Sequence, residues 1–219
     1  MLLYFVISAA RMCCVTLMKR AMVRRMGVVG PDEILAFWLD ECSPEQWYAN
    51  DPEFDESIRQ RFGATWQAAR EGSFSMWLTY PSGALAYIIL TDQFSRNMFR
   101  DDPRAFALDR AALAAAKSAI KKAWDLRIDE PARQFFYLPL EHSENLCDQD
   151  RAVRLICERI EDPKGLLHAR AHREVIRQFG RFPHRNAALS RKTTGPEQAH
   201  LDAGGYGAVV RSLEQAKAA

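Results

Sequence analysis

The chain of 219 residues carries 30 Lys and Arg against 28 Asp and Glu, a formal net charge of +2, and 48% of its residues are hydrophobic. This length fits a single domain, and the hydrophobic fraction is large enough to form a substantial core. Because charges of both signs are interspersed, the chain lacks the basic stripe that nucleic-acid-binding domains use, and no nucleic-acid partner is predicted.

Residues 1–26 do not continue the pattern of the rest of the chain. They are largely apolar up to Met18, but Arg11 interrupts them, and the basic residues follow the apolar stretch instead of preceding it as in a secretory signal. We expect this segment to lie outside the fold, with translation starting at Met22 or Met26. A membrane partner is predicted only if residues 1–26 are a genuine anchor.

The cysteines indicate a reducing compartment. The five cysteines are odd in number and form no C-x-x-C pair, so neither a disulfide framework nor a redox motif is indicated. The sequence therefore predicts a cytoplasmic protein in which Cys147 and Cys157 are small core residues.

The predicted helices begin mostly at prolines, which suit a first helical turn because the N–H that proline lacks is unpaired there anyway. In chain order, the predicted helices start at Pro31, Pro44, Pro52, Gly83, Pro103, Pro131, Asp148, Pro163 and Pro196. In the helix from Pro52, the residues Phe54, Ile58, Phe62 and Trp66 recur every four positions and form an apolar ridge.

No stretch alternates between apolar and polar residues as a half-buried strand would. The sequence therefore predicts a single all-α domain over residues 31–203, built of stacked antiparallel α-hairpins, followed by a flexible C-terminal tail over 204–219. Pro139, inside the helix that opens at Pro131, is expected to kink that helix.

Polar residues concentrate in three clusters where a helical bundle would normally place apolar side chains. In the first, Asp92 and Arg96 are spaced i,i+4 on a helix that is apolar up to Leu90, so they are predicted to pair; Asn97 follows them. The alternative interpretation is a structural salt bridge between two helices.

The second cluster follows Pro139 and contains His142 and Glu144. Imidazole titrates near neutral pH and Glu144 could fix its tautomer, which favours an acid–base or ligand-binding role. A capping or surface histidine is the alternative.

The third cluster pairs His168 with His172 at i,i+4 and then turns the chain through Arg181, His184, Arg185 and Asn186. Two arginines around a Phe-Pro turn are suited to holding a carboxylate or a phosphate, because guanidinium offers such anions a bidentate fork. The histidine spacing occurs in metal sites, but the glutamate of H-E-x-x-H is absent, and no metal ligand is predicted.

Three motifs in this order resemble a known family. They are Leu90–Asn97, His142–Glu144 and Phe179–Asn186, and the opening Glu33–Trp38 agrees as well. The sequence is similar to the bacterial domain-of-unknown-function family nine-two-four over roughly residues 31–201. This resemblance implies a tetratricopeptide-repeat-like stack of α-hairpins with a groove, and it implies no activity or cofactor.

The chain departs from the family in two places. Residues 1–26 have no counterpart there, and Glu141 occupies a position where an apolar or aromatic side chain is expected.

The first functional hypothesis is binding of a small anionic molecule or a peptide carboxylate in a polar groove. The predicted ligand-binding residues are Asp92, Arg96, Asn97, His142, Glu144, His172, Arg181, His184, Arg185 and Asn186. The alternative is a hydrolase-type enzyme using a His/Asp/Glu cluster, with or without a metal, and a third interpretation is a purely structural brace. No catalytic residue and no cofactor can be assigned from the sequence.

Overall fold

A computed structural model describes residues 27–218 of the chain, and the prediction for residues 1–26 lies outside them. Throughout the described range the regular structure is helical and no strand occurs, as the sequence predicts. The α-helices are α1 (Pro31–Leu35), α2 (Pro52–Arg70), α3 (Pro81–Ile88), α4 (Phe94–Met98), α5 (Asp109–Lys121), α6 (Leu138–Glu141), α7 (Leu146–Arg159), α8 (Pro163–Phe179), α9 (Gly195–Asp202) and α10 (Gly205–Ala218).

Short turns of other helix types join these α-helices. Two π-helical turns continue α1 and α3, over Ala36–Glu41 and Ile89–Gln93. The 3-10 turns cover Gln46–Tyr48, Ser75–Thr79, Pro103–Phe106, Asp125–Arg127, Ala132–Phe136 and Pro183–Arg185.

Proline-led starts and their caps explain where the longest helices begin. The Asp51 side chain accepts hydrogen bonds from the backbone of Glu53 and Phe54 at the start of α2, and Asp162 does the same for the start of α8. Each carboxylate satisfies two N–H groups that have no partner inside the helix. Gly180 ends α8 with φ of +69°, a left-handed conformation that glycine adopts readily just beyond a helix.

Aromatic side chains fill the centre of the core. Ile58, Phe62 and Trp66 of the predicted ridge on α2 are buried. Phe62 packs against Phe94 with ring centroids 4.7 Å apart, and Trp38 packs against Phe94 at 5.2 Å. Such pairs stabilise the fold beyond the apolar area that they bury, and they fix α4 against α1 and α2.

The second half of the chain packs around α8. Helices α7 and α8 are joined by three residues and contact each other along their length, so they form an antiparallel hairpin. The C-terminal helix α10 also packs against α8.

The largest difference from the sequence prediction lies at the C-terminus. Residues 204–219 were expected to be a flexible tail, but Gly205–Ala218 form helix α10. Its Tyr206 and Val209 pack against the small apolar cluster formed by Val175, Ile176 and Phe182. The glycine-rich segment therefore acts as a turn, with positive φ at Gly204 and Gly205.

Three smaller predictions also differ from the structure. Asn145 caps α7 through the Cys147 N–H, in place of the predicted Asp148. Pro139 lies in the first turn of the short helix α6, so it begins a helix and does not kink one. Cys147 and Cys157 are exposed, because α7 turns their side chains toward solvent.

Candidate functional site

Asp92 is placed by the π-helical turn that follows α3. A π turn adds one residue to the helical repeat and thereby changes which side chains face inward. Here Asp92 has no exposed surface and Gln93 is 6% exposed. Arg96 follows one turn later, and its Nη1 lies 3.0 Å from Asp92 Oδ1. The predicted Asp92–Arg96 pair is confirmed.

His142 follows α6 and completes this pair from the second cluster. Its Nδ1 lies 2.8 Å and 3.0 Å from the two carboxylate oxygens of Asp92. The sequence had suggested Glu144 as the partner that fixes this imidazole, and that assignment is wrong. Glu144 binds Arg191 at 2.6 Å and 3.0 Å and accepts the backbone N–H of Phe182.

The surroundings of this pair lower both pKa values. Burial alone would raise the pKa of Asp92, but Arg96 and His142 outweigh it and hold that pKa at about 2. Burial of the His142 ring lowers its pKa to about 4, with Arg96 adding to the effect and Asp92 opposing it. At neutral pH His142 is therefore a neutral imidazole whose Nδ1–H faces an ionised carboxylate.

His172 of α8 faces His142, with ring centroids 6.0 Å apart and planes at 74°. Its Nδ1 donates to the backbone carbonyl of His168 at 2.9 Å, because a carbonyl can only accept. The same nitrogen lies 3.3 Å from Oε2 of the buried Glu141. His168 itself hydrogen-bonds through Nδ1 to the Tyr206 hydroxyl at 2.7 Å.

The turn after α8 delivers Arg185 to the same region. Its guanidinium lies between the rings of Phe106 and Phe182, 4.8 Å and 4.4 Å from their centroids. Its one carboxylate contact within residues 27–218 is Asp109, at 3.5 Å, and Asp109 also pairs with Arg96. Burial and the nearby Arg96 lower the pKa of Arg185 to about 10.

Two neighbouring cavities share the wall that these residues form. The large cavity, of about 740 Å³, has a mostly apolar wall to which Trp47, Tyr48, Leu138, Ile156, Ile160 and Tyr206 contribute. The small cavity, of about 380 Å³, is bordered by His184 and Arg185. Four residues border both cavities: Arg96, Arg100, His142 and His172.

The structure thus brings most of the predicted site residues together, although they are far apart in the chain. Asn97 also borders the large cavity, and its amide donates to Asp55. Four predicted residues border neither cavity: Asp92, Glu144, Arg181 and Asn186. Arg181 is paired with Glu197 through two hydrogen bonds, and buried Asn186 accepts from Arg191.

Sequence reasoning missed Tyr206, Asp109 and Arg100 as contributors to the site. Tyr206 lies in the C-terminal segment that the sequence predicts to be flexible. Asp109 begins the alanine-rich helix α5, where nothing in the local sequence marks it as part of a site. Arg100 belongs to the first polar cluster, and its carboxylate partner Asp55 lies 45 residues away. Glu141, noted as a departure from the family pattern, borders the large cavity.

Two further properties concern residues 27–218 as a whole. No three His, Cys, Asp or Glu side chains in this range converge in a way that could hold a metal ion. Within the same range, no helix combines the length and the apolar character that crossing a bilayer requires.

Comparison with known proteins decides the family. Residues 34–205 match the model of the family described as "Bacterial protein of unknown function (DUF924)". The chain belongs to this family. A solved structure, "Structure of Protein of Unknown Function ATU0120 from Agrobacterium tumefaciens", is 37% identical, with a TM-score of 0.74, over 78% of this chain and 96% of that one. No curated protein matches the chain.

The DUF924 match includes every residue of the shared wall and ends at Gly205. Tyr206, which borders the large cavity from α10, lies one residue beyond it.

Proposed function

We propose that this protein binds a small organic acid whose anionic head enters the small cavity and whose apolar body fills the large one. The two cavities are neighbours that share the lining residues Arg96, Arg100, His142 and His172, and this supports the arrangement. A cavity of about 740 Å³ is in the size range of small-molecule sites, which favours a small molecule over the end of a peptide chain.

The observation that carries the proposal is that Arg185 is buried and incompletely hydrogen-bonded. Its side chain is 7% exposed, its contact to Asp109 is as long as 3.5 Å, and its buried Nε has no hydrogen-bond partner among the described residues. A buried guanidinium is costly unless it is paired and hydrogen-bonded. Because Arg185 borders the small cavity, a carboxylate, sulfonate or phosphate there would give its guanidinium a second anionic acceptor beside Asp109.

The positive groups around the small cavity also disfavour one another's charged forms. The positive charge of Arg96 contributes to the lowered pKa values of both His142 and Arg185. Such a cluster holds a positive potential that an anion would relieve. By contrast, Arg181 is neutralised by Glu197 and borders neither cavity, so it plays no part in the proposed site.

The large cavity suits an apolar body. Trp47 and Ile156 contribute buried side chains to its wall, and Tyr48 lies exposed at its edge. Each Å² of apolar ligand surface removed from water contributes about 25 cal/mol. A ligand with both parts should therefore bind more tightly than either part alone.

The test uses 8-anilinonaphthalene-1-sulfonate, a fluorescent organic anion, and its displacement by decanoate, decanol or acetate. We expect decanoate to displace the dye at concentrations at least tenfold lower than either of the other two. Arg185→Met should weaken decanoate binding about 10- to 100-fold, the usual range for hydrogen bonds to charged groups.

The matched control is Arg181→Met, which removes an arginine from the same turn and should leave decanoate binding unchanged. Thermal unfolding of both variants verifies that each is folded. Equal effects of the two substitutions, or equal displacement by decanol and decanoate, would overturn the proposal.

The Asp92–His142 pair favours hydrolysis as a second candidate. Since the described residues bordering the two cavities include no Ser, Thr or Cys, His142 would have to activate water. Turnover of p-nitrophenyl decanoate that disappears in His142→Gln would support this function. Turnover that is unchanged in the variant would exclude His142 as its base.

A further inference from the structure

The two histidines that border both cavities each have one ring nitrogen fixed by the protein. Nδ1 of His142 donates to Asp92, and Nδ1 of His172 donates to the carbonyl of His168. In the neutral rings the proton is therefore on Nδ1, and Nε2 carries the lone pair. Neither Nε2 makes a hydrogen bond within residues 27–218. Two basic nitrogens thus remain free in rings that border the same cavities.

The surroundings of the two rings differ in a way that separates their roles. Asp92, the partner of His142, also forms an ion pair with Arg96, so its negative charge is shared between these two side chains. Glu141 is 2% exposed, and His172 is its only ionic partner in the described part of the chain. His172 thus lies beside a carboxylate that no other ionic partner shares, whereas His142 faces both the negative charge of Asp92 and the positive charge of Arg96. His142 is thus suited to accept a proton and His172 to donate one.

We propose that His142 and His172 together catalyse keto–enol proton transfer on a 2-oxo acid with an apolar side chain, an inference that rests on the proposed organic-acid site. Nε2 of His142 takes a proton from C3 as the C3–H bond breaks. The bonding electron pair forms a C2=C3 double bond, and the oxygen on C2 becomes an enolate. His172, after taking a second proton from solvent on its free Nε2, gives that proton to the oxygen to form the enol, and solvent proton exchange resets both rings.

The charges around the site suit this reaction. Arg96 and Arg185 supply positive potential where the enolate charge develops, and such preorganised charge is the largest contribution to catalysis in many enzymes. The bound carboxylate also favours the protonated form of His142 and thereby makes it a stronger base. A general base of this kind typically contributes about 10²- to 10⁴-fold to the rate.

The experiment follows phenylpyruvate in D2O by NMR, measuring the loss of the C3 protons with and without protein. Displacement of 8-anilinonaphthalene-1-sulfonate, measured in parallel, reports whether phenylpyruvate occupies the site. We expect exchange well above the buffer rate, lowered about 10²-fold or more in His142→Gln, with dye displacement retained. His172→Gln should slow formation of the enol, detected by its ultraviolet absorbance.

The control is His200→Gln, because this histidine packs against Phe179 and borders neither cavity. With this variant, the C3 protons of phenylpyruvate should exchange at the same rate as with the wild-type protein. If phenylpyruvate displaces the dye but its C3 protons exchange at the buffer rate, the proton-transfer inference is overturned and the binding proposal stands. If neither phenylpyruvate nor decanoate displaces the dye, both are overturned.

Discussion

At the scale of single residues, the sequence predicted contacts that are local and missed contacts that cross the fold. The pairing of Asp92 with Arg96 follows from helical spacing alone, and the structure confirms it. The partner of His142 lies 50 residues away, and Glu144, the acid nearest in sequence, binds Arg191 instead. Periodicity cannot choose between a near and a distant carboxylate, because that choice depends on how helices pack.

The Asp92–His142 pair makes stability depend on pH. The folded protein holds the pKa of His142 at about 4, below the usual value near 6.5, so the folded state binds fewer protons than the unfolded chain between these values. The contribution of His142 to the free energy of unfolding is therefore fully present above pH 6.5 and is lost as pH falls toward 4. Asp92, with a pKa of about 2, loses its contribution at still lower pH.

We therefore expect the free energy of unfolding to fall by up to about 3 kcal/mol between pH 7 and pH 4. Urea unfolding at pH values across this range measures it. In His142→Gln the part of the decline that belongs to His142 should disappear, while a remainder persists from His184, whose pKa burial and Arg185 also lower to about 4. The variant His200→Gln should keep the wild-type slope. An unchanged slope in His142→Gln would show that the ring is not held neutral in the folded protein.

At the scale of elements, the starts of helices were easier to predict than their interiors and ends. Pro52 and Pro163 begin helices because proline and the preceding aspartate act within one turn. The π turn over Ile89–Gln93 has no such local signal. Helix α10 was missed because its first turn contains Gly205 and Gly207, which are more typical of a turn, and packing against α8 stabilises it.

Two glycines inside helices differ in how much space their neighbours leave for an added side chain. A Cβ added at Gly83, in the first turns of α3, would lie 2.5 Å from the carbonyl oxygen of Trp77 and 2.6 Å from the Tyr80 ring. Gly83→Ala should therefore cost about 1–3 kcal/mol of stability through overpacking.

Gly63, inside α2, has nothing within 4 Å of an added Cβ. Gly63→Ala should gain about 0.5–1 kcal/mol, because alanine loses less conformational entropy in a helix. Urea unfolding of both variants gives the comparison. Equal changes would mean that the 3-10 turn Ser75–Thr79 does not pack against α3 as closely as described.

At the scale of the whole molecule, the candidate site is formed by residues that are distant in the chain and come together only in the folded protein. The lining of its large cavity runs from Pro44 to Tyr206 in the chain and includes residues of α7, α8 and α10. The sequence identified the three polar clusters, and the family resemblance predicted the helical fold, which the structure bears out. Neither could predict that Arg185 would be incompletely paired while Arg181 is neutralised, because both arginines lie in the same turn and differ only in what packs against them.

A site assembled from the whole chain disappears on unfolding, so a ligand that binds it must raise the melting temperature. Decanoate at 100 times its dissociation constant should add about 2.7 kcal/mol, which corresponds to about 5–10 °C for a chain of this size. At the same decanoate concentration, a variant such as Arg185→Met that binds tenfold more weakly should gain only about 1.4 kcal/mol. Differential scanning fluorimetry resolves the two values, with Arg181→Met expected to match the wild-type protein. Because decanol lacks the anionic head, an equal rise with decanol would assign the stabilisation to the apolar cavity alone and remove Arg185 from the binding site.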